Sequence, residues 1–267
     1  MKINIKLFLS FVSIILISSC SDYRKILKTP GFEKKLEAAL EYYEKEEYYK
    51  SSTLFQDIKP LVKGSEKSEI VDFYFAYSLY NLKQYELSAK YFKGFIELFS
   101  RSDKVIEAEY LYAFSLYKES PNSNLDQSNT IEAINAIQNF INKYPYNEFS
   151  KGANELIDEL QIKLETKNFE NAKQYYKTRM YKSAIIALNN FENDFPDSSY
   201  NDECNYLKIV CQYLIAKNSF DDLKKERYKK VTEYYLKFVD KYPNSSFITE
   251  AEKMYVESLN LLTKFAE

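Results

Sequence analysis

A small residue returns at a fixed interval along an otherwise aromatic-rich chain, and that interval most limits the folds open to it. Ala39, Ala76 and Ala113 stand 37 positions apart. Ser51 and Ser88 follow the first two by twelve, and Phe55 and Phe92 follow those by four. Ala172, Ala184 and Leu188 repeat the same offsets further on. Two antiparallel helices approach closely only where a side chain is small and a large one from the partner fills the gap. One such hairpin cannot bury its own apolar face, so three or more must stack. The spacing therefore predicts a row of helical hairpins. Only 4 Gly and 6 Pro interrupt the 267 residues, as long helices joined by short turns require.

The irregularities are informative too. From Ala113 to Ala133 the gap is twenty rather than twelve, and Pro121-Asn122-Ser123-Asn124-Leu125-Asp126-Gln127-Ser128 reads as an enlarged turn. Phe99 to Ala113 is 14 positions but Tyr144 to Ala172 is 28, which predicts a lengthened first helix in the fourth unit, through Leu156 to Leu164. Second helices end in Tyr144-Pro145-Tyr146-Asn147, Phe195-Pro196-Asp197-Ser198 and Tyr242-Pro243-Asn244-Ser245, with Phe99-Ser100-Arg101-Ser102 as a degenerate copy. There an aromatic packs, proline stops the helix, and a polar residue caps the next one. The last unit reads as helices around Asp202 to Lys217 and Leu223 to Lys241, with a terminal helix from Phe247 to Phe265 closing the array.

This pattern resembles tetratricopeptide (TPR) repeats, most clearly over Asn168 to Ser199, where Ala172, Tyr175, Tyr181, Ala184, Leu188 and Pro196 fall at the expected places. The glycine usual between the two helices is missing near Arg179. The expected fold is all-α: a TPR-like α-solenoid of about five helix-turn-helix units with a C-terminal capping helix. The expected division is a signal peptide over 1–19, a lipidated linker over 20–31, units one to three over 32–145, and units four and five with the capping helix over 146–267.

The composition excludes much chemistry. With no histidine, histidine triads, His-ligated zinc and imidazole pH switching are unavailable. Neither GxGxxG nor GxxxxGK[ST] occurs. The balance of 37 basic and 39 acidic side chains argues against binding nucleic acid by bulk charge. Glu155 and Glu159 share a helix face, yet such pairs arise by chance among so many acids. Glu44-Lys45-Glu46-Glu47 and Lys224-Lys225-Glu226-Arg227 read as solvated faces. No catalytic residue, metal ligand or cofactor is expected. Cys204 and Cys211, seven apart on one helix, are separated by about 10.5 Å, beyond the roughly 7 Å a disulfide spans, so both are expected as buried thiols.

The N-terminus reads as a sorting label. Lys2 and Lys6 precede an apolar run from Leu7 to Ile17, short of the ~20 residues that span a bilayer but of signal-peptide length. Ile17-Ser18-Ser19-Cys20 resembles a bacterial lipobox, so Cys20 is the expected lipidation site, its acyl (palmitate) chains the only membrane anchor. A chain starting there would have 248 residues and, without Lys2 and Lys6, a net charge of −4. Ser21, not Asp, follows the cysteine. By resemblance to bacterial sorting rules this favours the outer membrane, and Asp22-Tyr23-Arg24-Lys25 lacks an acidic surface-export run. The expected location is the periplasmic face.

A binding surface is suggested by rings. In a TPR hairpin the first helix faces the concave side, so positions three before, one after and four after each spaced alanine are candidates. They read Leu36, Leu40 and Tyr43; Phe73, Tyr77 and Tyr80; Tyr110, Phe114 and Tyr117. Phe75, Leu79, Tyr112 and Leu116 would already serve hairpin packing. Tyr43, Phe73, Tyr77, Tyr80, Tyr110, Phe114 and Tyr117 are thus the candidate groove for an extended peptide with aromatic side chains. The competing expectation is that these rings only pack against neighbouring helices.

Lipobox, chain length, five TPR-like units and the recurring aromatic-Pro-x-[Ser/Asn] turns together resemble the BamD family of outer-membrane assembly lipoproteins, over roughly Cys20 to Phe265. The resemblance implies a non-enzymatic scaffold of the β-barrel assembly machinery. It implies that N-terminal units receive the C-terminal segments of unfolded barrels, often ending in an aromatic, and that C-terminal units dock on BamA POTRA domains, with other assembly-complex lipoproteins nearby. Docking is expected around Asp197 to Cys211, with Asp197, Tyr200 and Asp202 as candidates. The basic contact residue that family members carry shortly after the fourth-unit turn is absent from Ser198-Ser199-Tyr200-Asn201-Asp202-Glu203-Cys204. The alternative is another periplasmic TPR lipoprotein that organises envelope or cell-wall enzymes.

Overall fold

Hairpin follows hairpin along the chain in a computed structural model that describes residues 22–264; the signal peptide and Cys20 lie outside the described residues. After a helical stretch over 22–27 (α1) come α2 (Glu33–Glu44) and α3 (Tyr48–Val62), α4 (Lys67–Asn81) and α5 (Tyr85–Leu98), and α6 (Val105–Glu119) and α7 (Ser128–Lys143). They are followed by α8 (Ala153–Lys177) and α9 (Tyr181–Asp194), α10 (Asn201–Lys217) and α11 (Asp221–Lys241), and α12 (Ile248–Lys264). The enlarged turn falls between α6 and α7, and α8 is the lengthened first helix, at 25 residues. The described residues contain no strand. None of their helices is long and apolar enough to cross a membrane. The all-α, TPR-like expectation holds.

The chain forms two compact units, one reaching Pro121 and including Asp126–Leu160, the other comprising Asn122–Leu125 and the chain from Gln161 onward. In the first unit each helix from α2 to α7 packs on the next, and the first helices also meet one another, α2 on α4 and α4 on α6. That arrangement gives the unit a face made of first helices. The second unit holds the rest of α8 and α9 to α12, with α12 packed on α10 and α11. There Ala251 and the partly buried Tyr255 and Leu262 close over Tyr235 and Phe238.

The spaced small residues do what close helix approach demands. Ala39, Ser51, Ala76, Ser88, Ala133 and Ala184 are fully buried, and Ala113 and Ala172 nearly so. Buried hydroxyls must find partners. Ser51 Oγ donates to the Ala39 carbonyl at 2.9 Å, and Ser88 Oγ to the Ala76 carbonyl at 3.2 Å. Serine therefore bonds across the hairpin where alanine would merely fit.

The missing glycines have a counterpart in the backbone. Glu46, Lys83 and Arg179 adopt positive φ of 59°, 60° and 63°. Each stands three residues after a tyrosine that is the last but one of the first helix: Tyr43, Tyr80 and Tyr176. Their N–H groups bond to those tyrosine carbonyls at 2.9 Å, and the next N–H reaches one residue further back, Glu47 to Tyr42, Gln84 to Leu79 and Met180 to Tyr175. This is the doubly bonded helix end usually built on glycine. The left-handed conformation costs an L-residue roughly 1–2 kcal/mol, which three hairpins tolerate.

The ends of the second helices repeat as closely. Phe99, Tyr144, Phe195 and Tyr242 are the C-caps of α5, α7, α9 and α11, at φ from −121° to −131° and ψ from 46° to 66°. Three of them precede proline, which disfavours helical backbone in the residue before it. Each ring packs on the aromatic four positions earlier, at 5.1–5.8 Å between centroids. Three residues after each, Ser102, Asn147, Ser198 and Ser245 accept from the N–H two positions on. The polar residue therefore fastens the turn that leads into the next helix.

In the second unit Glu192 accepts from Lys208 at 2.6 Å, Lys241 at 2.8 Å and Asn205 at 3.1 Å. Burial alone would raise its pKa, but the three donors outweigh it and hold the carboxyl down at about 2. The unfolded chain binds a proton first as the pH falls. The resulting stabilisation is full above about pH 4.5 and is lost on the way down to about 2. Glu192→Gln should therefore melt at a lower temperature than the parent at neutral pH, with the gap narrowing between pH 4.5 and 2. Thermal melts across that window check it. Cys204 and Cys211 are free and buried, and burial pushes both thiols up to about 12.

Candidate functional site

The first unit carries its rings in a chain along the face of first helices. Tyr43 meets Tyr77 at 5.7 Å between centroids, Tyr77 meets Tyr80 at 6.0 Å, Tyr80 meets Phe114 at 6.3 Å, and Phe114 meets Tyr117 at 5.3 Å. Five of the seven candidate rings, from three successive hairpins, thus form one half-buried strip, and the half-buried Tyr110 stacks on its Phe114 at 5.6 Å. Most contacts are edge-on or tilted, the geometry favoured by the ring quadrupole.

The hydroxyls stay protonated. Burial raises the pKa of Tyr43, Tyr77 and Tyr80, the last to about 12. For Tyr117 the first cause is its bond to Glu159, at 2.5 Å. The Glu107 carboxylate raises the pKa of Tyr77 further, while Asn81 partly offsets the rise at Tyr43. Glu159 is therefore engaged with a tyrosine, the bland fate expected of such a carboxylate. Lys118 Nζ lies 4.9 Å from the Phe114 ring centroid and 5.1 Å from that of Tyr117, within cation–π range.

Among the residues three before each spaced alanine, Phe73 is corrected. Phe73 is 1% exposed, enclosed by Tyr77, Phe92 and Phe95, with the Lys104 ammonium 4.9 Å above its ring. It is core, not groove. Tyr110 is only half-buried, but Phe149 stacks on it at 4.7 Å and 16°. The cause is the turn that follows each second helix. Its residue two past the polar cap lies over this position: Lys104 on Phe73, Phe149 on Tyr110, Tyr200 on Phe169 and Phe247 on Tyr206. Leu36 is buried and Leu40 partly so, both in the first core cluster.

Two docking candidates are engaged within the fold. Tyr200 stacks on Phe169 at 4.8 Å, and its hydroxyl is 3.0 Å from Thr166 Oγ1. Asp202 accepts from Ser245 Oγ at 2.6 Å, as Glu69 accepts from Ser102 in the first unit. Both hold turns in place. Only Asp197 of the three is exposed.

Sequence reasoning missed Tyr48 and Tyr85, the first residues of α3 and α5. They lie 5.5 Å from Tyr43 and 5.6 Å from Tyr80, across the glycine-less turns. Their own 37-residue spacing was the available signal.

Among solved structures the chain is similar to one of the TPR2AB-domain:pHSP90-complex of yeast Sti1, at 12% identity and a TM-score of 0.39, covering 85% of this chain and 97% of that one. The reading of the fold rests on the hairpins themselves. No curated protein matches. A family described as "YfiO: Outer membrane lipoprotein" matches residues 33–203, well over half of the chain and all of the ring-lined strip. The chain belongs to this family of outer membrane lipoproteins, the BamD family that its sequence resembles.

Proposed function

We propose that the protein is a non-enzymatic scaffold of the machinery that inserts β-barrel proteins into the outer membrane, anchored at the periplasmic face by lipid on Cys20. The observation that carries the reading is the strip of rings on the first helices of three hairpins, in a chain of an outer membrane lipoprotein family. In this reading Tyr43, Tyr77, Tyr80, Phe114 and Tyr117 receive the C-terminal segment of an unfolded barrel, whose terminal aromatic finds a row of rings. Lys118, exposed beside Phe114 and Tyr117, offers charge to the terminal carboxylate. The second unit docks on BamA POTRA domains. With Tyr200 and Asp202 engaged inside the fold, Asp197 is the candidate left from that stretch.

Affinity purification of the lipidated protein from its own envelope, followed by mass spectrometry, tests this. Stoichiometric BamA and other assembly-complex lipoproteins are the expected companions. Cell-wall enzymes in place of BamA, under gentle extraction, would overturn the reading and favour the envelope-organising alternative.

A further inference from the structure

The second unit also has a cleft. It opens between α9, α10 and α11, with a volume of about 350 Å³. Its floor is apolar: Ile185 from α9 and Ile215 from α10 are half-buried, and Leu223 at the start of α11 is 37% exposed. Its walls carry Lys182, Arg227 and Lys230 against a single carboxylate, Glu226, which is ion-paired with Lys230 at 2.9 Å, so the lining keeps two positive charges in excess. On a chain whose overall net charge is −2, this is a local reversal of sign.

The cleft is built rather than incidental. The Arg227 guanidinium donates to Ser219 Oγ, and Gln212 Nε2 donates to the Arg227 carbonyl at 3.1 Å. These bonds tie the start of α11 to α10 and fix one wall. Three residues before Leu223 in the chain, Phe220 projects with 83% of its surface exposed. It stands at the N-cap of α11 with extended backbone, and its carbonyl accepts from Leu223 N at 3.0 Å. A large exposed ring held out at a fixed turn, at the start of the helix that supplies one wall, has the make-up of an interface anchor.

We propose that this cleft docks an acidic segment of a partner protein, with an apolar side chain of that segment seated on Ile185, Ile215 and Leu223. Charge complementarity selects the sign of the segment, because Lys182, Arg227 and Lys230 would repel a basic one. Shape selects a protein chain over a bilayer. Binding at a lipid surface needs an apolar helix face turned outward, whereas these isoleucines lie in a cleft and the outer face of α11 carries Lys225, Lys229 and Glu233. The proposal does not depend on the ring-lined strip of the first unit.

The test uses the full lipidated chain with a photo-reactive residue, Phe220→benzoylphenylalanine, in detergent-solubilised envelopes of its own cells. The expected product is a cross-link to one protein segment in which acidic residues outnumber basic ones around an apolar residue. Its yield should fall roughly tenfold when Lys182→Glu and Lys230→Glu are added, both side chains being exposed. Tyr80→Ala with Phe114→Ala should leave it intact, which separates this proposal from the strip. No cross-link, cross-links to lipid alone, a segment without acidic excess, or a yield indifferent to charge reversal would each overturn it.

Discussion

Phe73→Ala is expected to cost the first unit about 3–5 kcal/mol, the range for removing a fully buried phenylalanine ring. Phe73 is 1% exposed and meets four aromatic neighbours, Tyr74, Tyr77, Phe92 and Phe95, at 5.4–5.9 Å. Its removal leaves a cavity whose walls belong to α4 and α5 and are fixed by the close contact at Ala76 and Ser88. Tyr80→Ala is the control. Tyr80 sits on the same helix but is half-buried, so its loss should cost about 1–2 kcal/mol. Denaturant unfolding of the two variants compares them directly. Equal, small losses would mean that Phe73 lies in an open groove after all, and that the turn residue Lys104 does not close over it.

The second large effect is on binding. Tyr80→Ala combined with Phe114→Ala should weaken capture of a barrel C-terminal segment by at least about tenfold, or roughly 1.4 kcal/mol. These rings belong to neighbouring hairpins and meet at 6.3 Å. Removing both breaks the strip at its middle while leaving Ala76, Ser88 and Ala113, which hold the hairpins together, untouched. Far-UV circular dichroism should stay that of the parent. The hydroxyl of Tyr80 is a weaker lever: with a pKa pushed up to about 12 it remains neutral at working pH, so Tyr80→Phe should retain most of the affinity.

Much of this was legible before the fold was known, and the reason is periodicity. A small residue at Ala39, Ala76, Ala113 and Ala172 can be read without coordinates because close helix packing tolerates little else there. Tyr144, Phe195 and Tyr242 before proline mark helix ends for an equally local reason. What could not be read depends on which residue covers which. Phe73 and Tyr110 share their register with rings that form the strip, yet the turn after the following helix closes over them, with lysine at one copy and phenylalanine at the other. Nothing in the spacing from Ala76 reveals that Lys104 lies above Phe73. The engagement of Tyr200 and Asp202 within the fold has the same origin: they are the equivalents of Phe149 and Glu69 in earlier hairpins. The left-handed turns at Glu46, Lys83 and Arg179 were hidden for a different reason, since glycine normally signals them and these residues do not.

The central claim is that the strip on the first unit receives an extended segment ending in an aromatic. It is tested most directly by titrating the mature protein with a fluorescent peptide copied from a barrel C-terminus, alongside the Tyr80→Ala/Phe114→Ala variant and a peptide whose terminal aromatic is replaced by alanine. The account predicts saturable binding to the parent, weakened at least about tenfold by either change, with no loss of helicity in the variant. Equal affinity across all three pairs, or no binding by a folded parent, would contradict it.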